Sequence, residues 1–280
     1  FKQCIALYGM VMLFLVVGGG LFLAVYSKLL PFRYFKHALD ITRGKYDHKD
    51  DPGEVSHLQA LSSAVAATVG MGNIAGVAIA IYLGGPGVVF WIWITALIGM
   101  GIKFYSCSLA VMFRGTDSLG ALQGGPMYYM IQGMGKKAKP MAIFFSIAGL
   151  FGVLPAFTAN QFTQTLIDVV RPQVNIYEMS VFHWKVLIGI VLTIATSFVV
   201  FGGLKKIAKV ATAIVPFMVV VYLLAVVFIM FQNAGEIFPA FKLIFSEAFN
   251  METAVKGGFW GLVIIGIRRA VFSNEAGVGT

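Results

Sequence analysis

Long apolar runs alternate with short polar segments along this chain. The runs cover 5–27, 58–83, 87–113, 141–168, 184–204, 210–232 and a compromised stretch at 254–272. About 20 apolar residues suffice to carry a helix across a hydrocarbon core of about 30 Å. None of the runs shows the dyad alternation of a membrane barrel strand. The pattern therefore predicts seven transmembrane helices.

Composition agrees: 59% of the 280 residues are hydrophobic and 12% are charged, against about a quarter charged in soluble domains. This is the composition of an all-α polytopic membrane protein. The chain begins at Phe1 and is expected to lack its native start, and no signal peptide is visible. Cys4 and Cys107 fall inside apolar spans and are expected to be small apolar fillers.

The net charge of +9 changes the picture only through its distribution. Fifteen Lys and Arg residues fall on one side of the predicted spans, at 28–49, 114–139, 205–209 and 268–269, and five on the other. The rich side is cytoplasmic by the positive-inside rule, which puts residue 1 outside and Thr280 inside. The basic excess is thus a topology signal, and nucleic acid is not an expected partner. Trp91, Trp93 and Trp184 lie toward outer span ends, as interfacial anchors do.

The run from Leu58 to Leu83 contains no charge, yet TVGMGNIAG at 68–76 places three glycines in its middle. Each costs ~1 kcal/mol relative to alanine in a helix. A break there divides the span into 57–69 and 74–83, roughly 20 Å and 15 Å long. The first half would end in free carbonyls around Ala66, Val69 and Gly70. The second would begin with free N–H groups around Asn73, an expected N-cap, through Gly76. Such paired ends suit a cation and a carboxylate, as in the discontinuous helices of secondary transporters. The alternative is close helix packing through the pair Gly72 and Gly76. A dinucleotide-binding loop is excluded, because no strand precedes the glycines.

A second interruption is expected at Gly257-Gly258, five spans later and so with inverted orientation. All twelve acidic residues fall in loops or near span ends, leaving no intramembrane carboxylate for a proton relay. A coupling ion held by carbonyls and hydroxyls, sodium above all, is favoured over protons. No cofactor is expected. An ion channel is the alternative, but channels need rings of filter residues or subunit symmetry. A membrane enzyme would need a metal motif or carboxylate pair that the sequence lacks, so no catalytic residue is assigned.

ATVGMGNIAGVAIAI, LGGPGVVFWIWITALIGMGIKF, GGPMYYM, GGLKKIAKVA with VPFM, and FSNEAGVG together resemble the alanine or glycine:cation symporter family (sodium:alanine symporters). The resemblance runs from about residue 54 to the end of the chain. It implies a leucine-transporter-type five-plus-five inverted-repeat fold with an extra leading helix. It also implies sodium-coupled symport of small neutral amino acids, alanine or glycine foremost, by alternating access across the plasma membrane (the inner membrane of a bacterium). Another cation:solute symporter of the same fold is the nearest alternative.

The resemblance implies more spans than the seven predicted here. The chain then divides into a leading helix (1–27), a basic cytoplasmic loop (28–56), a first repeat (57–232) and the start of a second (233–280), with the C-terminal part missing. These 280 residues alone are expected not to transport.

Carried onto this sequence, the resemblance assigns Gly70, Gly72, Asn73 and Gly76 to the substrate carboxylate. Ala66, Val69 and Gly70 carbonyls with Thr68 go to sodium, and Gly257, Gly258 and Phe259 to the same cavity. FTANQ adds Thr158, Asn160 and Gln161 to the substrate site. Thr158 stands where family members often carry Gln, and its shorter hydroxyl reaches less far. Lys103 lies some 16 Å along its helix from Arg114, beyond snorkelling reach, and is expected to support the unwound carbonyls or a structural contact. Glu275, after Ser273 and Asn274, is either part of a local cap or a cytoplasmic gate.

Overall fold

The computed structural model describes residues 11, 14–47, 55–117, 120, 122–152, 156–170, 180–250 and 258–275. Among them the chain is helical apart from one antiparallel pair, β1 (Gly115–Thr116) and β2 (Leu122–Gln123). A π-helical turn, Phe14–Gly18, leads into α1 (Gly19–Tyr26). Then follow α2 (Leu30–Arg33) and α3 (Phe35–Thr42) in the basic segment, and α4 (His57–Thr68), α5 (Met71–Gly84) and α6 (Val88–Met112). Beyond β2 come α7 (Pro126–Met134), α8 (Lys139–Gly152), α9 (Ala156–Val169), α10 (Val181–Val200), α11 (Gly203–Gln232), α12 (Ala234–Ala248) and α13 (Gly258–Asn274).

Among the described residues four stretches are long and apolar enough to cross a bilayer: 57–84, 88–112, 181–200 and 203–232. They match four of the seven predicted spans. The predicted span 141–168 corresponds to α8 and α9, with 153–155 outside the described residues. The helix read as starting at 210 begins at Gly203 and runs 30 residues, about 45 Å. Its first turns therefore carry Lys205, Lys206 and Lys209 beyond the apolar core. The Lys206 ammonium rests 3.6 Å from the centre of the Phe198 ring, an amphipathic arrangement that keeps the stem on apolar surface. Cys107 is free and exposed on α6 rather than packed as filler; Cys4 lies outside the described residues.

α6 is the hub. α1 crosses it through small residues: a Cβ on Gly20 would meet Ile98, and Gly101 faces Ala24. Small residues let backbones approach where lipid provides no hydrophobic drive. On another face α6 carries α13, whose buried Leu262, Val263, Gly266, Ile267, Ala270 and Val271 form one continuous stripe. α12 was not foreseen: the sequence predicts no span between 232 and 254. It caps the outer end of α6, where the Trp91 indole N–H donates to the Ala248 carbonyl at 3.0 Å. Phe245 and Phe249 pack edge-on against Phe90. Trp91 and Trp93 thus fasten a helix as well as marking a span end.

Gly266 sets the α6–α13 spacing. A Cβ there would lie 2.6 Å from Trp91 Cβ and 3.2 Å from the Val88 carbonyl oxygen, atoms that cannot swing aside. Gly266→Ala is expected to destabilise the folded protein by roughly 1–3 kcal/mol, read as a lower thermal midpoint in detergent. Gly149→Ala, at a helical position with open space around it, serves as the control and leaves the midpoint unchanged or raised.

Candidate functional site at the broken helix

The span from His57 to Gly84 is two helices. Ser56 starts α4 with a capping box: its hydroxyl accepts from the Gln59 N–H, and the Gln59 side chain accepts from the Ser56 N–H. α4 stops at Val69, which is extended (φ −83°, ψ 103°), and Gly70 is extended too (φ −156°, ψ −158°). α5 resumes at Met71. The 12 and 14 residues of the two halves are about 18 Å and 21 Å long, so the break is central. The halves also have different partners, α4 lying along α11 and α5 along α6 and α13.

The break falls earlier than expected, and three assignments change with it. Asn73 is not the N-cap; it lies in the first turn of α5, with its N–H donating to the Gly70 carbonyl at 3.0 Å. The side-chain carbonyl of Asn73 accepts instead from the Ser273 hydroxyl at 2.5 Å. The Gly70 carbonyl, taking the N–H groups of Asn73 and Ile74, is committed to α5 and is not an open ion ligand. The Val69 N–H still bonds Val65, so helix geometry leaves the carbonyls of Ala66, Ala67, Thr68 and Val69 without intrahelical donors. At the other end it leaves the N–H groups of Met71 and Gly72. The Thr68 hydroxyl donates to the Ala64 carbonyl at 2.9 Å, which leaves its oxygen free to accept.

These ends open on a pocket of about 420 Å³. Val65, Thr68, Val69 and Asn73 line one side; Gly99, Met100 and Lys103 of α6 line another; Ser273 and Asn274 close it. Lys103 is half-buried and lines the same pocket as Thr68 and Val69.

The second expected interruption, at Gly257-Gly258, falls at the edge of the described residues: Gly258, at φ +63°, is the first residue of α13, and 251–257 lie outside the described residues. α13 runs to Asn274, followed by Glu275 at φ +51°. This end of α13 meets the first break, where Ser273 bonds Asn73. Phe259 does not face the pocket: its ring packs edge-on to Trp91 at 5.7 Å and against the cluster of Val16, Val263, Ile267 and Val271. Thr158 and Asn160 are exposed on α9 and Gln161 is half-buried, with α9 packed on α10. The structure does not bring these three to the pocket.

Arg269 is the residue that sequence reasoning misplaced. Counted among cytoplasmic cations, it lies between α13 and α5, its Nε–H donating to the Gly76 carbonyl at 2.6 Å. Gly76 is buried, and any Cβ on it would overlap the guanidinium. The close approach foreseen at this glycine is made by an arginine, not by a second helix backbone.

An all-α integral membrane protein with a pocket at a mid-span helix break, mostly apolar but edged by Thr68, Asn73, Lys103 and Ser273, has the architecture of a membrane transporter. Comparison with known proteins specifies the kind. The sequence profile of the sodium:alanine symporter family matches residues 3–280, and the chain belongs to that family, one of transporters rather than enzymes. It is 39% identical over 277 residues to the sodium/alanine symporter AgcS of Methanococcus maripaludis, covering 98% of this chain and 59% of that protein. It is 34% identical over 267 residues to the amino-acid carrier protein AlsT of Bacillus subtilis (95% and 54%). It is also 31% identical over 274 residues to the probable sodium/glutamine symporter GlnT of that organism (98% and 55%). The chain spans somewhat more than half the length of these relatives.

Proposed function

We propose that the full-length protein is a sodium-coupled symporter of small neutral amino acids, alanine or glycine, working by alternating access in the plasma membrane. Its fold on this reading is the five-plus-five inverted repeat with a leading helix. The described helices then hold the first repeat and the opening of the second. The observation that carries the reading is the pocket lined by Thr68 and Val69 of α4, Asn73 of α5 and Ser273 and Asn274 of α13, where three helix ends meet.

Two of those ends, the C-termini of α4 and α13, present carbonyls and a negative dipole pole. The third, the N-terminus of α5, presents N–H groups and a positive pole. A zwitterion with a companion cation complements that arrangement: carboxylate at Met71–Gly72, with sodium and the ammonium group sharing the carbonyl ends. Sodium is cargo here, with Thr68 Oγ1 and the carbonyls of Ala66 to Val69 as its candidate ligands. Apolar faces left exposed on α10 and α11 suit contact with lipid or with the rest of the protein.

The test is uptake of labelled alanine by proteoliposomes of the full-length protein under an inward sodium gradient, with potassium as control. Saturable, sodium-dependent accumulation is expected, with competition by glycine, serine, D-alanine and glutamine ranking the substrates. Current without saturation, or equal uptake in potassium, would overturn the reading.

A further inference from the structure

α13 runs antiparallel to α5, and the seam between them is graded. At one end Ala80 packs with Leu262 and Ile265. About one turn along α5 from Ala80, Arg269 holds the Gly76 carbonyl; at the pocket, Ser273 holds Asn73. Arg269 and Ser273 are four apart and Asn73 and Gly76 three apart, so both ties lie on the facing sides of the two helices. Arg268, next to Arg269, is exposed.

An arginine cannot shed its charge, and a guanidinium in the interior of a span is costly unless fully hydrogen-bonded. A helical carbonyl has a second lone pair after its own helix bond is made. Arg269 can therefore grip Gly76 without unwinding α5. The positive charge also lies on the turn that follows the N–H end of α5, where it reinforces the pole offered to a carboxylate.

We propose that Arg269 is a positioning residue for transport. It fixes the opening turns of α5 against α13, so that the N–H end of one and the carbonyl end of the other face the pocket as a single unit. Gly76 is required because only glycine leaves room for the guanidinium. The inference rests on the symporter reading above.

The test uses the full-length protein with Arg269→Met, with Gly76→Ala, which retains the arginine but drives it off the carbonyl, and with both. Backbone hydrogen exchange across 70–80 is expected to quicken about tenfold in each variant, with 203–232 unchanged as internal reference. The alanine KM is expected to rise about tenfold, the scale for losing one charge-assisted hydrogen bond. The double variant should be no worse than the worse single one, since both remove the same contact. Unchanged exchange at 70–80, additive effects, or quickened exchange with an unaltered KM would each overturn the proposal. Absence of sodium-dependent uptake in the unmodified protein would remove the symporter reading alone, because the exchange measurement still decides whether the tie exists.

Discussion

Replacing Val69 and Gly70 together by alanine is expected to lower sodium-driven alanine uptake by about tenfold while leaving a well-folded protein. Both residues are extended, and nothing lies within 4 Å of a Cβ added to Gly70. The substitution therefore meets no clash and acts only on the balance between broken and continuous helix. Gly→Ala favours the helix by about 1 kcal/mol and Val→Ala by roughly 0.6. Together these shift the balance by roughly 1.6 kcal/mol, about fifteenfold in population. A continuous helix closes the carbonyl end of α4 and the N–H end of α5, so ion and carboxylate lose their ligands together. Uptake within threefold of the unmodified protein would show that the break is not part of the site. Gly70→Ala alone should give an intermediate loss, which separates a graded helix bias from a local steric effect.

What the sequence disclosed follows the range of the interactions involved. The spans were legible because burial in lipid imposes length and apolarity residue by residue. The first break was legible because three glycines in nine residues contradict helix propensity wherever they occur. Its position was shifted by a few residues because Val69 carries no local signal of being extended; its conformation is set by the change of helix partner from α11 to α6 and α13. The meeting of the far end of α13 with that break was not legible, because it depends on Ser273 reaching Asn73 two hundred residues away in sequence. Phe259 was placed in the pocket by homology of position and proves to be on the Trp91 side of α13. Arg269 was counted with the cytoplasmic cations because a charge census assumes that the seventh helix ends at the membrane surface. It ends at the central break of α4 and α5, a fact that exists only in the packing.

Lys103 joins what was legible to what was not, and its removal is the second large expected effect. The sequence placed a lysine too far inside the membrane to reach water; the structure sets it half-buried on the pocket wall with Thr68 and Val69. A lysine ammonium has three donors and no acceptor, and the end of α4 offers carbonyls that lack intrahelical donors. Holding those carbonyls in place is the role we assign to it. Lys103→Met keeps the length and the apolar stem and removes the donors, so expression and monodispersity should persist. Uptake should fall at least about tenfold, since hydrogen bonds to a charged group contribute roughly 1.5–3 kcal/mol. The half-saturating sodium concentration separates the two ways an ammonium can act beside a cation site. A scaffold that shapes the carbonyl end loosens when removed, and half-saturation rises. A competing positive charge, when removed, lets sodium bind more tightly, and half-saturation falls. A rise is the expected result; a fall with preserved uptake would recast Lys103 as an occupant of the ion's own place, and loss of folded protein would make it a structural contact of the bundle.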